Sequence, residues 1–140
     1  MATPYSAPMA FGSVRHHVHI RQRADAVWSL AGDAARLAEW FPGITSCTVE
    51  GPIRTVILAT GMVLPEEILV RDPLRRRFQY RITAPLFTFH RGTIDVLDVG
   101  DGSTVVAYAT DADPRTLALT IGGGTAAALD ELKRQMEDAV

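Results

Sequence analysis

Hydrophobic and polar residues alternate along most of this chain, which is the pattern of half-buried β-strands. The first predicted strand runs from Val14 to Ile20, with valine and isoleucine sharing one face and arginine occupying the other. Six further strands are predicted at residues 44–49, 53–59, 62–70, 78–83, 90–99 and 104–110. Because short turns join most of them to a neighbour, we expect one antiparallel sheet in which consecutive strands pair.

Helical spacing of apolar residues follows the first strand in two short segments. It occurs at residues 27–31 and again at 37–41, and Pro42 and Gly43 end the second segment. Helices this short are not stable alone. We therefore expect them to pack their apolar faces, which carry both tryptophans of the chain, against one end of the sheet.

A long helix is predicted at the end of the chain. Asp113 and Pro114 are typical of a helix start, and an apolar stripe continues from there to Met136. Three consecutive glycines, 122–124, lie inside it. Since each glycine costs about 1 kcal/mol relative to alanine in a helix interior, we expect the helix to be bent or interrupted there.

Composition indicates a globular protein: 47% of its 140 residues are hydrophobic and 21% are charged, with a net charge of -2. We expect a flexible N-terminal arm at residues 1–12 and a single domain at 13–140. Without a clustered basic excess, a nucleic-acid partner is not expected. No apolar run approaches the ~18 residues of a membrane span, so no membrane insertion is expected. A lone cysteine, Cys47, fits a reducing, cytoplasmic location.

Several short motifs, in a fixed order, carry a resemblance to a known family. They are Trp28, Trp40-Phe41-Pro42-Gly43, Arg54, Gly61, Glu67 with Leu69, Asp72-Pro73, Tyr80, His90-Arg91-Gly92-Thr93, Gly102-Ser103-Thr104 and Tyr108. With them, residues 13–136 resemble the polyketide cyclase/dehydrase branch of the START-like (SRPBCC) superfamily. The resemblance implies an α+β helix-grip fold, in which a seven-stranded curved antiparallel sheet wraps around a long C-terminal helix and two short helices follow strand 1.

The resemblance also implies an internal cavity between the sheet and the C-terminal helix. Its members bind hydrophobic molecules such as polyketides, lipids and sterols, and some catalyse aldol cyclisation with dehydration, so the fold alone does not name the activity. Two functions follow as hypotheses: binding of a small hydrophobic molecule, or a cofactor-independent polyketide cyclase/dehydratase, a lyase. Neither needs a cofactor or metal. A third hypothesis is a homodimer or partner-binding module whose loop at 60–65 responds to the ligand.

Strand parity and the resemblance together place a few polar groups inside an apolar cavity. The ligand-binding candidates are Trp40, Arg54, Glu67, Tyr80, His90, Tyr108 and Ile121. For catalysis, Arg54 would stabilise an enolate while Glu67 or His90 moves protons. The alternatives are a buried Arg54–Glu67 ion pair, a hydrogen-bonded core histidine and tyrosines that only pack.

Departures from the family pattern change these expectations. Thr45 stands where the plant hormone receptors place a lysine against the hormone carboxylate, so an acidic hormone would not bind in that manner. His90 occupies a position that is commonly aromatic, and Gly122–Gly124 replace bulkier helix residues, which implies a wider or more open cavity. His17 and His19 share a strand face, but no third metal ligand accompanies them.

Overall fold

A computed structural model describes residues 11–138 and contains one seven-stranded sheet. The strands are β1 (Gly12–Ile20), β2 (Ile44–Glu50), β3 (Ile53–Leu58), β4 (Val63–Asp72), β5 (Arg77–Ile82), β6 (Phe89–Asp98) and β7 (Thr104–Asp113). They are ordered β1-β7-β6-β5-β4-β3-β2, and every neighbouring pair is antiparallel. This confirms the predicted sheet, in which β2 to β7 pair in sequence.

Two short helices and one long helix complete the fold. They are α1 (Ala24–Ala31), α2 (Leu37–Trp40), which follows a 3₁₀ turn (Ala34–Arg36), and α3 (Arg115–Asp138). The long helix packs on β1 and β7 and touches α2. The arrangement is the predicted helix-grip fold, with the curved sheet around the C-terminal helix and the short helices after strand 1.

The core lies between the inner face of the sheet and the helices. Residues alternate between inward and outward along each strand, and β7 shows this over its whole length. Almost completely buried apolar side chains come from both layers, including Ile20, Val56, Phe78, Ile94, Val96, Val106 and Tyr108 on strands and Val27, Ala128, Leu129 and Leu132 on helices. Any side chain of functional interest inside the protein must therefore occupy an inward strand position or a core-facing helix position.

The three glycines of α3 do not break the helix, which is continuous from Arg115 to Asp138. The predicted interruption was therefore wrong, and the alternative of a bend stays a prediction. At Gly122 the helix lies so close to β1 that an added Cβ would be 2.7 Å from Val14 Cγ1, whereas at Gly123 it would meet nothing within 4 Å. Close packing against β1 explains the first glycine, and it offsets the low helix propensity that the sequence suggested.

The predicted arm at residues 1–12 lies outside the described residues except for Phe11 and Gly12. Gly12 already belongs to β1, where it pairs with Ala112 of β7. Within residues 11–138, no helix combines the length and the apolar character needed to cross a membrane.

Candidate functional site

A pocket of about 250 Å³ lies between the inner face of β2–β5 and the helices α2 and α3. Its lining residues are Leu37, Phe41, Pro42, Gly43, Ile44, Val56, Leu58, Leu64, Glu66, Tyr80, Ile82, Ile121 and Gly124. Several of the aliphatic side chains, including Leu58, Leu64 and Ile121, are only half-buried although they point to the interior. An apolar surface that the protein does not fill with its own side chains is typical of a small-molecule site.

Glu66 is the one ionisable carboxylate among these lining residues, and it is paired with a buried arginine. Arg54 of β3 lies directly opposite Glu66 of β4 in the strand register. Arg54 Nε donates to Glu66 Oε1 over 2.8 Å, and the two residues are only 1% and 4% exposed. The ion pair thus forms one wall of the pocket, with the carboxylate in the lining and the guanidinium enclosed behind it.

The Arg54 guanidinium is held on several sides. Its Nη1 donates to the Ala34 carbonyl oxygen over 3.2 Å, and its Cζ lies 4.7 Å from the Tyr80 ring centroid and 5.1 Å from that of Phe78. Cation–π contacts of this kind strengthen when the cation is removed from water. Arg54 is therefore fixed in place and reaches the pocket only through Glu66.

Burial changes the ionisation of this pair. Desolvation raises the pKa of Glu66, and the neighbouring Arg54 opposes that rise without cancelling it. For Arg54, desolvation acts to lower the pKa, but the charge of Glu66 and the nearby phenols outweigh it and the pKa is raised. The arginine therefore stays charged, while the carboxyl group takes up a proton more readily than an exposed glutamate.

Two tyrosines on the inner face are joined to each other. The hydroxyls of Tyr80 on β5 and Tyr108 on β7 lie 2.5 Å apart, and burial raises the pKa of both phenols. The Tyr80 ring reaches across β6 because Gly92 has no side chain: an added Cβ there would be 2.5 Å from Tyr80 Cζ. Gly92 thereby allows the two phenols to meet.

His90 is buried beside this pair, next to Tyr80 and Phe87. The Ile82 backbone N–H donates to His90 Nδ1 over 2.9 Å. Nδ1 must then be the unprotonated nitrogen, so the neutral ring carries its proton on Nε2. Burial lowers the pKa of His90 to about 4. The ring is a neutral hydrogen-bonded core histidine, it does not line the pocket, and its basic nitrogen is already occupied.

Nearly the whole chain matches one protein family. Residues 12–137 match the family described as "Polyketide cyclase / dehydrase and lipid transport". The chain belongs to this family. Comparison with curated proteins found no match.

Several solved structures have the same fold as this polyketide cyclase/dehydrase family member. Protein XoxI from Bacillus cereus superposes with a TM-score of 0.85 at 21% identity, covering 91% of this chain and 97% of its own. A START superfamily protein from Mycobacterium smegmatis gives 0.75 at 16% identity, with coverages of 91% and 99%. Norcoclaurine synthase from Thalictrum flavum gives 0.73 at 16% identity, with coverages of 100% and 95%. At these identities the likeness concerns the fold.

In this family member Glu67, predicted to face the cavity, lies on the outer face of the sheet. Its Oε1 accepts from Arg81 Nε over 2.6 Å, and its side chain is 35% exposed. The placement of Glu67 in the cavity was wrong, and Glu66 is the inward carboxylate. Alternation along β4 contained the signal, because Leu64, Glu66 and Ile68 share one face and the outer face carries Glu67.

The remaining candidates divide into lining and supporting residues. Tyr80 and Ile121 line the pocket, while Tyr108 lies behind Tyr80 and does not. Trp40 is 1% exposed and packs against Tyr108 at a centroid distance of 6.1 Å, so it is a core residue rather than a lining residue. Its neighbour Phe41 lines the pocket in its place.

Gly124 gives partial support to the expectation of a more open cavity. It lines the pocket, and an added Cβ would lie 3.3 Å from Phe41 Cε1. Of the three helix glycines, only this one contributes space to the pocket.

Metal ligation has no support among residues 11–138, where no group of three or more histidine, cysteine, aspartate or glutamate side chains is arranged to hold an ion. His17 is exposed, and His19 Nε2 lies 2.8 Å from Ser103 Oγ. The cytoplasmic location, a homodimer and the absence of a nucleic-acid partner stay predictions.

Proposed function

We propose that the protein binds a small hydrophobic molecule in the pocket between β2–β5 and α3. The observation that carries this proposal is the lining itself, in which half-buried aliphatic side chains face a space of about 250 Å³. Burial of that lining against an apolar ligand contributes a favourable free energy of roughly 25 cal/mol per Å² of apolar surface removed from water. Inward side chains on β6 and β7, such as Ile94, Val96 and Val106, are by contrast almost completely buried.

The relatives are consistent with this proposal. The family description includes lipid transport, and norcoclaurine synthase was solved in complex with dopamine and hydroxybenzaldehyde. Those molecules belong to that enzyme. For the present chain they support only the inference that this fold can hold a small ring-containing molecule.

A pocket-filling substitution tests the proposal. Ile121→Trp places a large ring in the lining, whereas Leu119→Trp on the same helix adds the same ring at an exposed position. We expect an apolar fluorescent dye to bind the wild-type protein and Leu119→Trp equally, and Ile121→Trp at least tenfold more weakly. Native mass spectrometry against a panel of sterols, fatty acids and polyketides identifies the ligand class.

The proposal fails if the wild-type protein takes up neither the dye nor any member of the panel. It also fails if folded Ile121→Trp binds as tightly as Leu119→Trp, because binding would then occur elsewhere on the molecule.

A second function, cofactor-independent cyclisation with dehydration, is favoured by the Glu66 carboxyl group in the apolar lining. Its raised pKa brings it toward the range that suits acid–base catalysis. In such a reaction Glu66 takes a proton from the carbon beside a substrate carbonyl, and the enolate attacks a second carbonyl to form a carbon–carbon bond. Glu66 returns that proton to the resulting alkoxide, which becomes a hydroxyl group. Glu66 then removes the second proton from the same carbon and delivers it to the hydroxyl, which leaves as water as the carbon–carbon double bond forms. Arg54 acts as a positioning residue through Glu66.

Turnover of an enolisable poly-β-ketone by matched variants tests this second function. Glu66→Gln should reduce the rate at least a hundredfold, whereas Glu67→Gln, on the outer face of the same strand, should leave it unchanged. Equal rates in both folded variants would remove the catalytic assignment and leave ligand binding in place.

A further inference from the structure

The pocket lining contains few polar side chains. Within the described chain, the only polar side chains in the lining are Glu66 and Tyr80. The Tyr80 hydroxyl is buried and lies 2.5 Å from the hydroxyl of Tyr108, which does not line the pocket, so the polar end of Tyr80 is directed away from the pocket. Glu66 is then the group left to interact with the polar part of a ligand.

Only one of the two Glu66 oxygens is used by the protein. Oε1 accepts from Arg54 Nε, and no other donor among residues 11–138 bonds to this carboxylate. An ionised carboxylate accepts at both oxygens, and leaving such an acceptor without a donor in an apolar place is unfavourable. A hydroxyl group on the ligand would satisfy the second oxygen.

The charges around the pocket restrict the ligand to a neutral molecule. Arg54, the cation nearest to the lining, is paired with Glu66 and donates to the Ala34 carbonyl oxygen. Its Nη2 has no hydrogen-bond partner among the described residues, but it is buried and Arg54 does not line the pocket. A ligand carboxylate would lose its hydration beside the Glu66 carboxylate, and the enclosed Arg54 could not pair with it as well. A ligand ammonium group would lose its hydration beside a carboxylate that Arg54 already neutralises.

The volume of the pocket restricts the size of the ligand. An engineered cavity of about 150 Å³ binds benzene, and pockets for drug-sized ligands span about 300–1,000 Å³. The present pocket, at about 250 Å³, lies between these limits and suits a molecule of two fused rings.

We infer that the ligand of this pocket is a neutral molecule of about two rings whose single hydroxyl group donates a hydrogen bond to the free oxygen of Glu66. This inference rests on the proposed ligand-binding function and adds to it the polarity, charge and size of the ligand.

Four probes of similar ring size test the inference on the wild-type protein by isothermal titration calorimetry at pH 7. They are 2-naphthol, its methyl ether, naphthalene and 2-naphthoate. We expect 2-naphthol to bind at least tenfold more tightly than the ether and naphthalene. The hydroxyl makes the probe less hydrophobic, so a gain in affinity requires a polar contact. We expect 2-naphthoate not to bind measurably.

Each other result overturns the inference in a distinguishable way. Equal affinities for 2-naphthol, the ether and naphthalene would reject the hydroxyl contact and leave the proposed function standing. Tighter binding of 2-naphthoate would reject the charge argument. If none of the four probes binds while the dye or a member of the panel does, the inference fails and the proposed function stands; if the dye and the panel also fail to bind, both fail.

Substitutions then locate the contact. In Glu66→Gln the preference for 2-naphthol over its methyl ether should fall at least fivefold, while Glu67→Gln should keep the wild-type preference. Circular dichroism and denaturant unfolding confirm that each variant is folded, because Glu66→Gln leaves Arg54 without its counter-charge. A preference that is unchanged in folded Glu66→Gln would overturn the assignment of the contact, and the probe series on the wild-type protein does not depend on that variant.

Discussion

The two halves of the sheet are covered to different degrees by one helix. Under β1, β6 and β7 the inner face is filled, and Val96, Val106 and Leu132 are almost completely buried. Under β2–β4 the inner face carries half-buried leucines, Leu58 and Leu64, that line the pocket. Because α3 packs mainly on β1 and β7, it leaves the far strands to α2 and the adjoining loop. The pocket is the space that this incomplete cover leaves.

A polar row marks the boundary between the two halves. The Arg54–Glu66 pair belongs to β3 and β4 on the pocket side, and the Tyr80–Tyr108 pair connects β5 with β7 toward the filled side. Buried polar groups need specific partners, whereas apolar side chains need only a neighbour of suitable volume. Substitutions in the filled half, in the pocket half and at their polar boundary should therefore change the stability of the protein by different amounts.

The largest expected effect is at the boundary. Arg54→Met leaves the buried Glu66 carboxylate without its partner and should lower the free energy of unfolding by about 3–5 kcal/mol at pH 7. Without Arg54 the raised pKa of Glu66 rises further, so the loss should be largest above that pKa and should shrink as the pH falls and the carboxyl group is protonated.

Urea unfolding at pH 5 and pH 8 measures this effect, and Arg81→Met is the matched control. Arg81 pairs with Glu67 on the outer face, so its loss should change stability by less than about 1 kcal/mol at either pH. Similar losses in the two variants would contradict the view that the inner pair is the structural one.

A matched pair of leucine truncations compares the two halves directly. Leu132→Ala, in the filled half, creates a cavity among buried side chains and should cost about 2–5 kcal/mol. Leu64→Ala removes a half-buried side chain that already borders a pocket and should cost about 1–2 kcal/mol. Denaturant midpoints at constant m-value measure the loss of unfolding free energy in each variant. Equal losses would show that the two halves are equally well packed.

The burial of His90, on the filled side of the boundary, predicts that the stability of the protein depends on pH. Its pKa is lowered from 6.5 to about 4, so its contribution is fully present above pH 6.5 and is lost as the pH falls through this interval. At about 1.4 kcal/mol per pKa unit, the loss is on the order of 3 kcal/mol. His90→Gln keeps an acceptor for the Ile82 N–H and should flatten the stability profile between pH 7 and pH 4.

The exposed His17 is the control for that profile. His17→Gln should retain the wild-type loss of stability over the same pH range, measured by urea unfolding at half-unit intervals. If both variants keep the wild-type slope, acid sensitivity arises from groups other than His90.

The smallest effects concern the helix glycines. Gly122→Ala places a methyl group 2.7 Å from Val14 Cγ1 and should destabilise the filled half by about 1–3 kcal/mol. Gly123→Ala meets no neighbour within 4 Å, so it should stabilise the protein by about 0.5–1 kcal/mol through helix propensity. Opposite shifts in melting temperature are expected, and shifts of the same sign would contradict the close approach at Gly122.

Patterns that repeat along the chain made most of the fold predictable. Alternation located all seven strands, and the stop at Pro42-Gly43 placed the end of the short helices correctly. The continuity of α3 was not predictable, because Gly122 is explained by its contact with Val14, which is distant in sequence. Propensity describes a residue's local preference, and tertiary packing decides the outcome.

The candidate site was less predictable, because it depends on which face of a strand each residue occupies. Glu67 was placed on the inner face, which Glu66 occupies instead. Successive residues of a strand point to opposite faces of the sheet, so a shift of one residue exchanges the inner and outer positions. Tyr80 and Ile121 do lie in the pocket lining, and their contact with a ligand stays a prediction. Trp40 and Phe41 are neighbouring aromatic residues, and the sequence does not show which of them lines the pocket. In the structure both rings pack against Tyr108, and Phe41 is the one that lines the pocket.

Gly124 and Glu66 lie in different walls of the same space, one in the helix and one in the sheet. A methyl group at position 124 would approach the Phe41 ring at 3.3 Å and narrow the chamber, yet leave the carboxylate unaltered. The size of the ligand that fits and the polar group that the protein prefers on it can consequently evolve through separate single substitutions. A protein built in this way can exchange one guest molecule for another without redesigning its framework.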